Sequence, residues 1–426
     1  MASSEIRTAQ QQFAAVRDTL PASMARINAL DASTLACQLR LATIAAPTGA
    51  EYARGAAVAR ELEMLGCTTS HDTAGNVIAH WDSASTETSM PPIVCMAHLD
   101  TVFDAETSLT VSRMGTQVHC PGIGDNGRGL ATMLTLARVV YERRTSQSRL
   151  HRRIEFVATV GEEGLGNLRG ARAYFARRTA LGQPAPHAVL VLDGPGDQNI
   201  VHHALGSRRY RVTFRGAGGH SWVDFGAPNA VHAASRATAW LAEVPRSMRG
   251  RVALTVSGIG GGESMNAIPA LAWIEVDVRA TDQALLTRVD SELRRIVQAS
   301  SHAEVTSRFN GGPAQYQFAT EVSAFGYEIS MLGERPCGVL PREHSLVQLA
   351  QIASRWHNIE PISAIASTDA NIPLSMGIPA ITIGGGGTGG GAHTVHEWYD
   401  NTNGPRGVAR AFAILAALAA REQTTR

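Results

Sequence analysis

A short apolar run leads directly into a histidine and an aspartate in Ile93-Val94-Cys95-Met96-Ala97-His98-Leu99-Asp100. An uninterrupted run of this length is typical of a strand that is buried on both faces of a parallel sheet. Similar runs occur at Ile154–Val160, Ala188–Leu192 and Ile378–Ile383, with segments of helical periodicity between them. The pattern predicts an α/β fold, in which helices cover both faces of a mostly parallel sheet.

A different pattern occupies residues 207–313. Strand-like and helix-like segments alternate there, at Tyr210–Phe214, Ala230–Leu241, Val252–Val256, Leu271–Val278 and Leu285–Ala299. This order predicts a smaller α+β domain of βαββαβ type, inserted into a larger domain formed by residues 1–206 and 314–426. A chain of 426 residues also exceeds what one hydrophobic core usually covers.

Composition argues against several classes of protein. The formal net charge is +1 and no basic run interleaves with aromatic residues, so nucleic-acid binding is not expected. The longest apolar stretch, Val408 to Ala420, contains Arg410 and is too short to span a bilayer. The five cysteines are scattered, and the N-terminus lacks the pattern of a signal peptide. These features favour a cytoplasmic protein with reduced thiols.

Three of the predicted strands end in side chains that bind metals. His98 follows the first run, Glu162-Glu163 the second, and Asp193 the third. In a doubly wound sheet, ligands bind at the carboxyl ends of the strands, so these side chains should meet. Each residue taken singly also suits a strand cap or a solvated turn. Three such strand ends in one chain favour a metal site.

The adjacent carboxylates of Glu162 and Glu163 repel each other unless a cation or a proton compensates. One of the two can bind metal while the other stays free as a general base. Asp100 stands two residues after His98, where its carboxylate could accept a hydrogen bond from the imidazole and fix the tautomer.

Two further candidate ligands lie in glycine-rich segments. Asp125, in Gly124-Asp125-Asn126-Gly127, could bridge two cations, although the same residues suit an ordinary turn at a helix start. After the glycine cluster Gly384–Gly391, both His393 and His396 are candidates that spacing cannot separate. Glu397 stands four residues after His393 and could orient its ring if the segment is helical.

Together these candidates offer two imidazoles and three carboxylates, plus one spare glutamate. Mixed nitrogen and oxygen ligands favour Zn²⁺, with Co²⁺ or Mn²⁺ as alternatives, over Ca²⁺ or Mg²⁺. Five ligands with one shared fit two ions about 3.5–4 Å apart.

The ordered motifs resemble those of the M20 metallopeptidase family, which includes tripeptide aminopeptidase, glutamate carboxypeptidase, acetylornithine deacetylase and aminoacylase. The resemblance covers nearly the whole chain. It rests on Asp72-Thr73-Ala74-Gly75-Asn76-Val77, Ala97-His98-Leu99-Asp100, Gly124-Asp125-Asn126-Gly127, Gly161-Glu162-Glu163-Gly164, Asp193-Gly194, Gly219-His220, Met265-Asn266-Ala267-Ile268-Pro269, Asp277-Val278-Arg279, Ser367-Thr368-Asp369-Ala370-Asn371 and His393-x-x-x-Glu397.

The resemblance implies that His98 and Asp193 hold one divalent ion. It implies that Glu163 and His393 hold the other, and that Asp125 bridges the two.

The resemblance also makes Glu162 the general base and Asp100 the residue that orients His98. It selects His393 over His396, because only His393 stands in the His-x-x-x-Glu position.

The inserted domain is similar to the lid and dimerisation domain of the family. The resemblance implies that His220 reaches across a homodimer to stabilise an oxyanion, and that Asn266 and Arg279 bind a substrate carboxylate. It further implies that the cluster Gly384–Gly391 offers backbone N–H groups to the substrate. Without the family, His220 reads as a turn histidine and Arg279 as a solvated cation.

The expected function is hydrolysis of amide bonds in short peptides, because Gly161–Gly166 and the aspartate at position 193 resemble the tripeptide-aminopeptidase branch. The alternative is a deacylase or carboxypeptidase acting on N-acyl amino acids or C-terminal residues, which Asn266 and Arg279 would serve equally. A catalytically silent binding protein has no reason to keep a free base beside the ligands. A two-metal aminopeptidase of another fold does not predict the inserted domain.

Overall fold

The structure is a computed structural model that describes residues 2–81, 90–143, 151–306 and 325–420. The chain forms two compact units. The first consists of Met1–Ala204 and Gly338–Arg426, and the second of Leu205–Cys337. Among the described residues, no helix combines the length and the apolar character needed to cross a membrane.

Helices of the described part are numbered in chain order. They are α1 (Ala2–Arg17), α2 (Leu20–Ala42), α3 (Tyr52–Met64), α4 (Gly127–Arg143), α5 (Arg169–Ala180), α6 (Ala230–Leu241), α7 (Val244–Ser247), α8 (Gln283–Thr306), α9 (Ser345–Trp356), α10 (Asn371–Ser375) and α11 (Gly404–Ala419).

The strands are numbered in the same way. They are β1 (Thr68–His71), β2 (Val77–His80), β3 (Ile93–His98), β4 (Ser112–Met114), β5 (Gln117–His119), β6 (Ile154–Thr159), β7 (Ala188–Leu192), β8 (Asn199–Ala204), β9 (Gly206–Arg215), β10 (Gly219–His220), β11 (Val252–Gly261), β12 (Ala267–Ile268), β13 (Leu271–Ala280), β14 (Gly326–Arg335), β15 (Gly338–Val339), β16 (Ile362–Ala366), β17 (Ala380–Ile383), β18 (Thr388–Gly390) and β19 (Trp398–Asp400).

A large sheet organises the first unit, with strand order β1-β2-β6-β3-β7-β17-β8-β15 and β16 paired to β8. The four central strands, β6, β3, β7 and β17, run parallel to one another. Every residue of these four strands is buried, because helices such as α4, α9 and α11 pack against the sheet. The predicted α/β class is confirmed, and the four predicted strands agree with the observed ones to within two residues.

Helix α4 shows why the sequence folds locally as predicted. It begins at Gly127, immediately after the Asp125 turn, and its apolar side chains, among them Leu130, Met133 and Ala137, are buried in the main core. The helix packs against β3, β6 and β7. Burial of this apolar face therefore fixes the start of α4, and with it the Asp125 turn, beside the strand ends.

The second unit is a four-stranded antiparallel sheet of order β11-β13-β9-β14, with α6 and α8 packed on it. Its separate core includes Tyr210, Val212, Ile274 and Leu293. Strands β10 and β12 form a small two-stranded ribbon, in which His220 pairs with Ala267. The chain order of the main elements, with β14 included, is βαββαβ as predicted, and the elements predicted within 207–313 are its first five.

The boundaries of this unit differ from the predicted range 207–313. Residue 313 itself lies outside the described residues. Strand β14, which was predicted to belong to the larger domain, pairs with β9 at nine of its residues and belongs to the second unit. The prediction ended too early because β14 lies beyond the two-helix pattern that marked the domain.

Candidate metal centre

The five side chains predicted as metal ligands converge at the carboxyl ends of the central strands. His98 is the last residue of β3, and Asp193 directly follows β7. Glu163 lies in the loop after β6, Asp125 in the turn before α4, and His393 after β18. Because the parallel strands end at the same edge of the sheet, residues distant in sequence meet there.

Asp125 stands between the two histidines. Its Oδ1 atom lies 3.0 Å from His98 Nε2, and its Oδ2 atom lies 3.2 Å from His393 Nε2. Each imidazole nitrogen also faces a second carboxylate, Asp193 Oδ1 at 3.7 Å from His98 and Glu163 Oε1 at 3.1 Å from His393. The five ligand atoms thus form two groups that share Asp125.

Each of the two groups could hold one metal ion. The ligand atoms of His98, Asp125 and Asp193 all lie within 4.8 Å of one another, and so do those of Asp125, Glu163 and His393. Burial differs between the groups: the His98 side chain is 2% exposed and that of His393 is 55% exposed. One side of the site is therefore enclosed in protein, and the other opens toward solvent.

The surroundings of the Asp125 Oδ1 atom indicate whether a cation fits at this site. It is buried and receives no hydrogen bond of good geometry from the described residues, although His98 Nε2 is close. A buried carboxylate oxygen without a donor is costly unless a cation or proton compensates it. Imidazole nitrogens and carboxylate oxygens are suitable donors for a transition-metal ion. The residues present therefore fit a metal pair.

Excess negative charge at this site raises the pKa of both imidazoles. Hydrogen bonds with Asp125 and then Glu163 raise the pKa of His393 to about 10. Burial by itself lowers the pKa of His98, but the carboxylates of Asp100, Asp125 and Asp193 beside its ring outweigh burial and hold that pKa well above its ordinary value. Carboxylates that stabilise two protonated imidazoles create the electrostatic environment in which cations bind.

Glu162 occupies a different position from Glu163. Glu162 is buried, and its carboxylate lies within 4.8 Å of the ligand atoms of His98 and Glu163. It belongs to neither of the two groups that contain Asp125. Both glutamates share a group with His98, and only Glu163 also shares one with Asp125 and His393. The division of tasks between the two carboxylates stays a prediction.

The contacts of Asp100 differ from the prediction that its carboxylate orients His98. The acceptor nearest to His98 Nδ1 is the backbone carbonyl of Asp100, at 3.1 Å, whereas the carboxylate Oδ1 lies 3.6 Å away. That carboxylate instead accepts the N–H groups of Glu162 and Glu163, both at 2.9 Å, and the Thr48 hydroxyl at 2.8 Å. Asp100 thus fixes the loop that carries the two glutamates.

Asn126 connects two loops in a similar way, a role that sequence reasoning missed. Its side chain is fully buried and donates to the carbonyl of Leu192 at 2.9 Å. Its Oδ1 atom accepts the N–H groups of Gly129 at 3.0 Å and Gly194 at 3.1 Å. The residue after Asp125 therefore holds the backbone on both sides of Asp193. Its place in the Gly-Asp-Asn-Gly motif was the available signal.

Glu397 corrects a second prediction. The segment after Gly391 is a series of turns rather than a helix, and His393 has a φ of 64°. The Glu397 carboxylate accepts the N–H groups of Gly122 at 2.7 Å, Gly124 at 2.8 Å and Asp125 at 2.8 Å. Glu397 therefore holds the Asp125 turn, and the four-residue spacing did not predict its partner.

Burial dominates the pKa of Glu397. It raises this pKa to about 7, with the charge of Asp125 acting in the same direction and the three backbone N–H groups opposing it. His396 is exposed and belongs to none of the candidate metal groups found among the described residues.

A further buried carboxylate, that of Asp369, lies beneath the site. Burial raises the pKa of Asp369 to about 6, while the hydroxyl of Thr159, 2.5 Å away, donates to it. Thr159 pairs with His98 across β3 and β6. The sequence marked Asp369 only as part of a motif, without a role.

Backbone groups of the glycine cluster Gly384–Gly391 form hydrogen bonds within the protein. The N–H groups of Gly385 and Gly386 donate to the carbonyls of Gly194 and Gly196, both at 2.9 Å. Arg128, fully buried on α4, donates to the carbonyl of Gly385 at 2.8 Å. The expectation that this cluster offers its N–H groups to a substrate is therefore wrong for these two glycines.

In the second unit, His220 lies on β10, and Asn266 directly precedes the partner strand β12. The Ser221 N–H donates to the Asn266 carbonyl at 2.9 Å. The N–H groups of Trp222 and Val223 point at His220 Nδ1, at 3.1 and 3.3 Å. Because Nδ1 accepts these bonds, the neutral imidazole carries its proton on Nε2. Both His220 and Asn266 are exposed.

Arg279 lies on β13 in the same unit. Its guanidinium donates to Asp277 at 2.8 Å, and Asp277 also accepts from Arg209 at 3.2 Å. Arg279 is thus one member of a row of ion pairs across the sheet.

A family model described as peptidase family M20/M25/M40 matches residues 94–421. The chain belongs to this family. It is accordingly a metal-dependent peptidase or amidohydrolase, as predicted. Among curated proteins, none matches the chain.

Solved structures share the fold of this M20 member. A tripeptidase from Staphylococcus aureus has a TM-score of 0.72 at 18% identity, over 91% of this chain and 98% of that one. Aminopeptidase PepT from Bacillus cereus has a TM-score of 0.69 at 19% identity, over 91% and 99%. The YxeP protein from Bacillus subtilis, described as a dinuclear metal-binding peptidase, has 0.62 at 15%, over 92% and 98%. At these identities the likeness shows the fold.

Proposed function

We propose that this protein hydrolyses the peptide bonds of short peptides, in the manner of a tripeptide aminopeptidase, with two divalent ions at the candidate metal centre. The observation that carries the proposal is the position of Asp125, whose two oxygens each face one histidine and one further carboxylate. The names of the tripeptidase and PepT structures support this substrate class.

His98 and Asp193 would hold one ion, Glu163 and His393 the other, and Asp125 both. Donor types favour Zn²⁺, with Co²⁺ or Mn²⁺ as alternatives. When bound, such a pair supplies Lewis-acid polarisation of the scissile carbonyl and lowers the pKa of water.

Glu162 is the proposed general base. It is buried beside the proposed ligands. The hydrogen bond from the Glu162 N–H to the Asp100 carboxylate fixes its backbone. Its carboxylate takes a proton from the attacking water and delivers it to the nitrogen of the leaving amine. The amide nitrogen thereby leaves as a free amine, the water oxygen remains on the new carboxyl group, and the second proton of the water is released when that group ionises.

His220 of the partner subunit is the proposed donor to the carbonyl oxygen as negative charge develops on it. The hydrogen bonds at Nδ1 support this role, because they leave Nε2–H exposed as a donor. This role requires a homodimer formed through the second unit.

Asn266 and Arg279 are the proposed ligands of the substrate carboxylate. Asn266 lies next to His220, because its carbonyl accepts the N–H of Ser221 beside the paired strands β10 and β12. Arg279 would exchange Asp277 for the substrate carboxylate, a bidentate partner that suits its guanidinium. The expected cytoplasmic location stays a prediction.

A direct test uses protein stripped with a chelator and reloaded with Zn²⁺, Co²⁺ or Mn²⁺. We expect two ions per chain and hydrolysis of tripeptides with a free N-terminus. Cleavage of only N-acetylated peptides would favour the deacylase or carboxypeptidase alternative. Uptake of no metal, or of metal without hydrolysis of either peptide, would contradict the proposal.

A further inference from the structure

Glu397 makes an unusual set of contacts for a buried carboxylate. Its side chain is 2% exposed, yet no cationic side chain is among its hydrogen-bond donors in the described part of the chain. The donors are the backbone N–H groups of Gly122, Gly124 and Asp125, at 2.7–2.8 Å. A carboxylate that accepts several N–H groups holds a backbone segment in one conformation.

The main chain of Glu397 is fixed as well. Its N–H donates to the Thr394 carbonyl at 3.2 Å, and the Thr394 N–H donates to the Gly391 carbonyl at 3.0 Å. Its carbonyl accepts the N–H of Cys120 at 3.2 Å. Residues 391–397, which contain His393, are thereby joined through one residue to residues 120–125, which contain Asp125.

The two groups of ligands differ in their dependence on this connection. His98 ends β3 and Asp193 follows β7, so the sheet places both, and Asn126 holds the backbone around Asp193. Neither Asp125 nor His393 lies in a strand or helix. Their separation, with His393 Nε2 3.2 Å from Asp125 Oδ2, depends on how two turns are held together.

We propose that Glu397 is a positioning residue that assembles the ion site of Asp125, Glu163 and His393. The inference rests on the proposed function, since it assigns Glu397 to one of the two ions. Loss of the Glu397 carboxylate frees the Asp125 turn from the His393 turn. The ion between them is then bound more weakly, whereas the ion of His98, Asp125 and Asp193 is retained because the sheet still places two of its three ligands.

The variant Glu397→Gln tests this directly. The carboxylate uses Oε2 for Gly122 and Oε1 for Gly124 and Asp125, whereas an amide has one oxygen and turns its NH₂ group toward at least one N–H donor. Two opposed donors in a buried site are unfavourable. In a Zn²⁺ titration of chelator-stripped protein, we expect wild type to bind two ions tightly, and the variant to bind one tightly and the other about 10–100-fold more weakly.

Activity offers a second readout. If Glu397 acts through the ion site, excess Zn²⁺ should restore much of the activity of Glu397→Gln, because the catalytic groups are all present. A merely structural defect would not respond to Zn²⁺ concentration.

Glu155→Gln is the matched control. Glu155 lies on β6 and is also buried. Its carboxylate accepts hydrogen bonds from Tyr174 at 2.5 Å and Arg178 at 2.8 Å, both on α5, and contacts no proposed ligand. We expect it to lower thermal stability and to leave both ions bound as in wild type. Equal weakening of metal binding in both variants would contradict the specific role of Glu397.

Glu397→Asp provides a second variant if Glu397→Gln does not fold. It keeps the negative charge but is one methylene shorter, so it cannot reach Gly122 and Asp125 together, and it should also weaken one ion. If wild type binds two ions and both variants bind two with unchanged affinity, the inference is wrong and the proposed function stands. If wild type binds fewer than two, the proposed function fails and the inference falls with it.

Discussion

Asp125 in the first unit and His220 in the second have opposite surroundings. The backbone of Asp125 is held by the buried carboxylate of Glu397, and its two oxygens face two histidines. His220 is exposed on a two-stranded ribbon, and the bonds to its ring come from its own turn. The first arrangement lies within one unit, whereas in the proposed mechanism the second gains its partner only when a substrate approaches.

This difference follows from the chemistry that each residue is proposed to perform. Ions need ligands at fixed separations, and buried carboxylates such as Asp100 and Glu397 hold the ligand loops through backbone N–H groups. A hydrogen-bond donor to the substrate needs only one exposed N–H with a fixed tautomer. The predictions below test whether the two regions divide the work in this way.

The largest expected effect comes from the pair of adjacent glutamates. Glu162→Gln should leave both ions in place and lower kcat by about 10²–10⁴-fold, because it removes a proton acceptor and no ligand. Glu163→Gln should instead weaken one ion. Metal content by mass spectrometry and peptide hydrolysis separate the two outcomes. Loss of metal from Glu162→Gln, or turnover close to that of wild type, would exclude Glu162 as the base.

In the second unit, His220→Ala should lower kcat by about 10²-fold with unchanged metal content, because it removes one donor to the developing oxyanion. His232→Ala is the control, since His232 is an exposed histidine of the same unit that faces Glu304. Steady-state kinetics of both variants provide the measurement. Equal kcat for wild type and His220→Ala would leave the ribbon without a catalytic role.

A smaller effect is expected from the loop contacts of Asp100. Asp100→Asn replaces one acceptor by an NH₂ group, so it cannot accept the N–H groups of both Glu162 and Glu163. We expect metal affinity to fall about 10–100-fold, as for other residues that orient ligands. Competition with a fluorescent chelator measures this affinity. An unchanged affinity would show that the glutamate loop keeps its position without Asp100.

The smallest effect concerns a histidine that none of the proposed chemistry uses. Burial lowers the pKa of His357, at the end of α9, to about 4. The unfolded chain, with an ordinary pKa of about 6.5, therefore binds this proton first as the pH falls. The contribution of His357 to stability is complete above about pH 6.5 and is lost toward pH 4, and about 2 kcal/mol of it is lost between pH 7 and pH 5.

In His357→Leu, the fall in free energy of unfolding between pH 7 and pH 5 should be smaller than in wild type. Denaturant unfolding of the chelator-stripped proteins at several pH values gives the comparison. Identical pH dependence in the two proteins would show that His357 does not titrate as its burial implies.

Local signals were sufficient to predict the four central strands, α4 and the positions of three proposed ligands. His98, Glu163 and Asp193 follow buried apolar runs, and apolar periodicity and strand ends are properties of short segments. Asp125 could be predicted as a turn residue with a possible second role. The choice of His393 over His396 as the proposed ligand came from the family resemblance, since both residues lie in the same turn-rich segment.

Contacts between distant loops could not be predicted in the same way. A spacing of four residues suggests that Glu397 faces His393 on a helix, but turns at Gly391 and His393 direct its carboxylate toward Gly122 and Asp125 instead. Asp100 likewise accepts the backbone N–H groups of Glu162 and Glu163, contacts that its position beside His98 did not predict. Such partners depend on which loops the sheet brings together.

The most direct test is the anomalous scattering of crystals grown with Zn²⁺, measured on both sides of the zinc absorption edge. Two zinc peaks are expected, one bound by His98, Asp125 and Asp193, and the other by Asp125, Glu163 and His393, with Asp125 shared. A single peak, or two peaks of which either lacks Asp125 as a ligand, would contradict the account.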